Sequence, residues 1–75
     1  MKNKKGETSE KVNLHTVDIA RSVCGERDEN LRLIEEAFDI RIGARGTALT
    51  LAGMPRDVER AEGFISQVEG LLREG

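Results

Sequence analysis

Tryptophan and tyrosine are absent from this chain, and cysteine, proline and histidine each occur once. With Phe38 and Phe64 as the only aromatic residues, the chain lacks the stacking platform on which sequence-tolerant single-strand binders lay successive bases. Both phenylalanines are better explained as core. Cys24 alone cannot form an internal disulfide, and Cys24 with His15 gives no zinc-ligand set of the usual spacing. No apolar run approaches the roughly 20 residues that span a bilayer, so no membrane contact is expected. The N-terminal MKNKKGETSE has the positive start of an export signal without the apolar segment that must follow. It reads as a flexible, solvated tail over residues 1–10, and the expected compartment is the cytoplasm.

Lysine is missing beyond Lys11, so every later cation is an arginine. From Val12 onward, eight arginines face twelve aspartates and glutamates, a net of −4 against −2 for the whole chain. That sign excludes a broad basic face of the kind that binds nucleic acid by releasing counterions from its backbone. Any such contact has to be local, made by a few arginines and backbone amides. Walker A patterns, paired catalytic carboxylates and metal-ligand clusters are also missing, so no catalytic residue, metal or cofactor is assigned to the chain.

A chain of 75 residues that is 37% hydrophobic and 35% charged, with a mean hydropathy of −0.47, supports one small soluble domain, expected over residues 11–75. Such a domain hides only about 60–65% of the surface its unfolded chain exposes, so its core is thin. KVNLHTV alternates, with Val12, Leu14 and Thr16 on one side and Asn13, His15 and Val17 on the other, the period of a strand. DIARSVC then gathers Ile19, Ala20 and Val23 on one side of a short helix, with Asp18 as its cap and Gly25 as its stop. A second helix is predicted to start at the N-cap Asp28 and to carry Leu31, Ile34 and Phe38 inward, with Leu33 and Ala37 beside them. DIRIGARG alternates again, with Ile40, Ile42 and Ala44 against Arg41, Gly43 and Arg45, and pairs through a turn at Gly46 with ALTLAG. From Pro55 a long amphipathic helix carries Val58, Ala61, Ile65, Val68 and Leu72. The predicted class is α+β in the order β-α-α-β-β-α, a three-stranded sheet covered on one face by helices. This is the order of a type I KH domain.

In a KH domain the loop between the first two helices is GXXG, and its amides face a nucleic-acid backbone. Here it is GERD, Gly25, Glu26, Arg27 and Asp28. Two readings stand side by side. In one, the loop clamps phosphates, with Arg27 and Arg32 nearby and Arg41 and Arg45 flanking a groove opposite it. In the other, Gly25 is a helix C-cap, Asp28 is an N-cap, and the strand arginines are a solvated face partly neutralised by Glu35, Glu36 and Asp39. Cys24 is read as a small buried residue, and His15 as a strand residue with no catalytic partner.

The stretch CGERDENLRLIEEAFDIRIGARGTALTLAGMPRDVERAEGFISQVEGLL resembles the N-terminal KH-like region of PhoH-family proteins. Gly25, Asn30, Leu31, Ile34, Glu35, Ile40, Ile42, Arg45, Gly46, Gly53, Val58 and Ala61 match that family's pattern in order, and the resemblance covers Val12 to Leu72. It implies an acidic residue in place of the second loop glycine, which Asp28 supplies. It also implies a separate P-loop domain that binds and hydrolyses ATP with magnesium, in a parent protein linked to RNA metabolism. The chain is then expected to be a non-catalytic accessory module that binds single-stranded RNA weakly through Gly25, Glu26, Arg27, Asp28, Arg32, Arg41 and Arg45 and partners that ATPase domain. The alternative is a protein-docking or homo-oligomerisation domain without nucleic-acid contact.

Overall fold

The computed structural model describes residues 6–74. Its elements are β1 (Thr8–Asn13), α1 (Val17–Cys24), a 3-10 turn (Glu26–Asp28), α2 (Glu29–Phe38), β2 (Arg41–Arg45), β3 (Ala48–Gly53) and α3 (Pro55–Glu74). This is the α+β order β-α-α-β-β-α. The sheet is antiparallel in the order β1-β3-β2.

β3 is central because its alternation is the cleanest in the chain. Leu49, Leu51 and Gly53 are buried, while Ala48, Thr50 and Ala52 turn the other way. Leu49 and Leu51 meet Val58, Ala61 and Ile65 of α3 in one core cluster, joined by Ala20 and Val23 of α1 and Leu31 and Ile34 of α2. All three helices therefore lie on one face of the sheet. β2 and β3 join through Gly46 and Thr47, with Arg45 opposite Ala48. Gly46 has φ +60° and Thr47 does not share a positive φ, the pattern of a type II′ hairpin turn with glycine first.

The first strand lies earlier than the alternation suggests. It begins at Thr8, inside the expected tail, whose residues 1–5 lie outside the described residues. It ends at Asn13, and the Leu14 N–H carries the same register one step further, donating to the Thr47 carbonyl at 2.7 Å. Thr16 caps α1 from an extended backbone, its Oγ1 accepting the Ile19 N–H at 3.1 Å, so the cap is Thr16 and not Asp18, which sits within the first turn. His15 falls in the connection after the strand, where its N–H donates to Glu69 Oε2 at 2.7 Å and ties that connection to α3.

Helix packing also departs from expectation at the periphery. Phe38 is half-buried, but Phe64 is 41% exposed, Leu33 is 61% exposed and Leu72 lies outside the core. The two rings sit 5.6 Å apart at 46°, with the Arg60 guanidinium 5.7 Å from the Phe38 centroid. With three short strands as its floor, the sheet has no area to cover these side chains. Among the described residues no helix is long and apolar enough to cross a membrane.

Candidate nucleic-acid interface

The corner between α1 and α2 is built from the glycine outward. Gly25 adopts φ 79°, ψ 176°, a region open essentially to glycine alone, and its N–H donates to the Arg21 carbonyl at 2.9 Å to end α1. A Cβ there would stand 2.7 Å from Asn30 Nδ2 and 3.1 Å from the Asn30 backbone nitrogen. Asn30 in turn donates to the Ser22 carbonyl at 3.4 Å, tethering the start of α2 to the last turn of α1. The glycine is thus demanded by internal close approach, independently of any outside ligand.

Asp28 does not cap α2. With φ 58° and ψ 26° it is left-handed, and its carboxylate makes no cap hydrogen bond, because capping needs the extended backbone that points the side chain back at the first amides. Arg27 shares the left-handed conformation at φ 56°. Two consecutive left-handed residues explain why a glycine suits the fourth loop position, and aspartate is among the few side chains that tolerate it. The Asp28 N–H donates to the Gly25 carbonyl at 3.3 Å and the Glu29 N–H to the Glu26 carbonyl. The N–H groups of Glu26 and Arg27 have no acceptor among the described residues.

Arg32 folds back on the loop, its Nη2 donating to the Arg27 carbonyl at 3.1 Å. Glu26, Arg27, Glu29 and Arg32 line one shallow depression, two charges of each sign. At the end of α1, burial pushes the Cys24 thiol above its ordinary pKa and the Asp28 carboxylate adds to that, so Cys24 stays a thiol. Among the described residues no cluster of three His, Cys, Asp or Glu could hold a metal ion.

The strand arginines belong to a different surface. Register places Arg41 opposite Ala52 and Arg45 opposite Ala48, so both project with Thr50 from the sheet face that the helices leave open. Arg41 is neutralised by Glu7, Nη2 to Oε1 at 2.7 Å, and not by the carboxylates of α2. Glu35 instead accepts the Ile42 N–H at 2.7 Å, fastening α2 to β2. Arg41 still reaches the sheet edge, where with Arg32, Glu35, Glu36, Asp39 and Ile40 it lines a second depression. Arg45 has no side-chain partner among the described residues.

The structure therefore gathers Gly25, Glu26, Arg27, Asp28 and Arg32 at one corner and sets Arg41 and Arg45 on the sheet. The sequence reading did not identify Asn30 and Glu7 as organisers of these places. Both act through contacts across elements, which no local spacing signals.

No family model matches the chain. It is 38% identical over 58 residues to a PhoH-like protein of Mycobacterium tuberculosis, an alignment covering 77% of this chain and 16% of that relative. The chain thus spans about one sixth of the length of the curated relatives it matches. Its fold superposes on the 14th KH type I domain of human Vigilin with TM-score 0.75 and 28% identity, over 88% of this chain and 75% of that one. It also superposes on a chain of the a/eIF2alpha–aDim2p–rRNA complex of Pyrococcus horikoshii with TM-score 0.79 and 20% identity, over 88% of this chain and 40% of that one. Sequence and fold converge: the chain is a KH-like domain of the PhoH family.

Proposed function

We propose that this domain is a non-catalytic module that holds single-stranded RNA by its backbone and, in a longer PhoH-like protein, presents it to an ATPase domain in the cytoplasm. ATP and magnesium belong to that other domain and to no residue here. The observation that carries the reading is the pair of amides at Glu26 and Arg27 that have no acceptor among the described residues, beside the Arg27 guanidinium, at the corner where KH domains meet a nucleic-acid backbone. The rRNA complex among the fold neighbours supports the same ligand class. Glu26 and Asp28 oppose a phosphate at that corner, so weak binding is expected. Fluorescence anisotropy with a labelled ten-nucleotide oligouridylate tests this. Saturable binding that weakens steeply between low and moderate salt is the expected result, and no binding at low salt would end the reading.

A protein-docking role, including self-association, has its own supporting observation. An apolar groove of about 240 Å³ runs between the helices, lined by Val23, Leu33, Ile34, Phe64, Ile65 and Val68. Sedimentation of the chain, wild type against Phe64→Ser, separates this reading from the first. A dimer lost in the variant would favour it, and a monomer in both would favour the RNA module.

A further inference from the structure

The open face of the sheet has a composition that sets it apart from the rest of the domain. Strand alternation and register fix its nine outward residues in three rows: Ser9, Ala52 and Arg41; Lys11, Thr50 and Gly43; Asn13, Ala48 and Arg45. None of the nine is acidic, although over the whole chain carboxylates outnumber lysines and arginines by fourteen to twelve. The three cations stand at the margins, Lys11 on one edge strand and Arg41 and Arg45 on the other. With strands about 4.8 Å apart and rows about 7 Å apart, they form a triangle with sides of about 12–14 Å. Between them, Ala48, Ala52, Thr50 and Gly43 keep the surface low, and the space above Gly43 is open to 4 Å.

We infer that this sheet face is a second binding surface of the module and that its ligand is the phosphodiester backbone of single-stranded RNA, held without base readout. The inference rests on the RNA reading above and extends it from the loop to the opposite side of the fold. Three properties select this ligand. Lysine, arginine, serine, threonine and asparagine are the side chains that donate to phosphate and sugar oxygens, and they make up all six of the positions larger than alanine. A low surface lets an extended strand lie close to all three cations. The absence of aromatics leaves bases no platform, so contact is to the backbone.

An acidic protein partner shares the charge but not the shape. Stable protein interfaces centre on large desolvated anchors, commonly aromatic, and nothing larger than threonine stands at the centre of this face. The Arg41–Glu7 pair makes the surface adjustable. Glu7 is 11% exposed and holds Arg41 in place, so Arg41 contributes less than Lys11 and Arg45.

Counterion release supplies the test. Three phosphate contacts on a single strand give a slope of log K against log salt of about −2, at about 0.7 per contact. Lys11→Gln/Arg45→Gln, at two exposed strand positions, is expected to weaken oligouridylate binding about tenfold and to make the slope shallower by about 1.4. Arg27→Gln/Arg32→Gln provides the corner for comparison. A reading that needs no variant is protection of Lys11 from acetylation by bound RNA, followed by mass spectrometry. Protection, together with the reduced slope, supports the inference. Wild-type binding with Lys11 unprotected and the slope changed only by the corner variant would overturn it while leaving the RNA module intact. No wild-type binding would overturn both. Equal affinity for a polyglutamate of matched charge would overturn the assignment to phosphodiester and point to an acidic protein.

Discussion

The α1–α2 corner and the open sheet face carry the same residue type, arginine, in opposite circumstances. At the corner Arg32 is spent on the Arg27 carbonyl, two carboxylates flank the loop, and Gly25 is shaped by Asn30 from within. On the sheet Arg45 and Lys11 stand without side-chain partners among the described residues, over a floor of alanine, threonine and glycine. A recognisable loop is thus mostly explained by its own construction, while the charges available to a ligand lie where no motif marks them. Among the described residues, the amides of Glu26 and Arg27 and the Arg27 guanidinium remain at the corner for an outside partner.

The largest effect should come from the corner. Gly25→Ala forces a side chain into a glycine-only conformation, which costs about 1–3 kcal/mol, and displaces Asn30 as well. Urea denaturation should register a loss of about 2–3 kcal/mol, and a loss under about 0.5 kcal/mol would show that the corner does not need its glycine internally.

Asp28→Gly should do the reverse, because the left-handed backbone at φ 58° costs a side chain about 1 kcal/mol or more. We expect a gain of up to about 1 kcal/mol in the same experiment. If the gain is accompanied by tighter RNA binding, the free amides are in use; if stability rises alone, the corner is only a corner.

Gly43→Lys acts on the other side of the comparison. The position is open, so a fourth cation enters the middle row of the sheet face without a clash and relieves a strand glycine that costs about 0.5–1 kcal/mol. RNA affinity should rise about threefold and the salt slope steepen by about 0.7. Unchanged binding would detach the sheet from the ligand.

The smallest effect concerns Cys24. Its raised pKa means that the folded state holds the thiol proton where the unfolded chain has begun to lose it. Stability from this group is complete below the ordinary thiol pKa and declines as pH rises through the folded value. Alkylation of Cys24 in the folded chain should accordingly lag behind that of the urea-unfolded chain at mildly alkaline pH, whereas equal rates would show that burial does not hold the proton.

Much of this fold was legible because its signals are local. Alternation through Ile42, Leu49 and Leu51, a glycine at Gly46 and a proline at Pro55 are each readable within a few residues, and the hairpin and α3 stand where they indicate. The start of β1 was hidden because Thr8, Ser9 and Glu10 carry no apolar alternation on an edge strand. Thr16 caps α1 in place of Asp18 because the helix begins at Val17 and takes Asp18 into its first turn, a start that two adjacent capping residues leave open in the sequence. Phe64 has the spacing of a core residue and lacks a sheet wide enough to bury it. At the candidate site, Gly25 and its loop stood out in the sequence, but the left-handed turn at Arg27 and Asp28, which prevents capping, did not. Nor did the pairing of Arg41 with Glu7, 34 residues away.

The most direct measurement is an amide-resolved NMR titration of the whole chain with oligouridylate at low and moderate salt, since it reads both regions at once. The account predicts salt-sensitive shifts at Glu26 and Arg27 together with Lys11, Thr50 and Arg45. Shifts confined to the apolar groove around Leu33 and Phe64, or none at low salt, would contradict it.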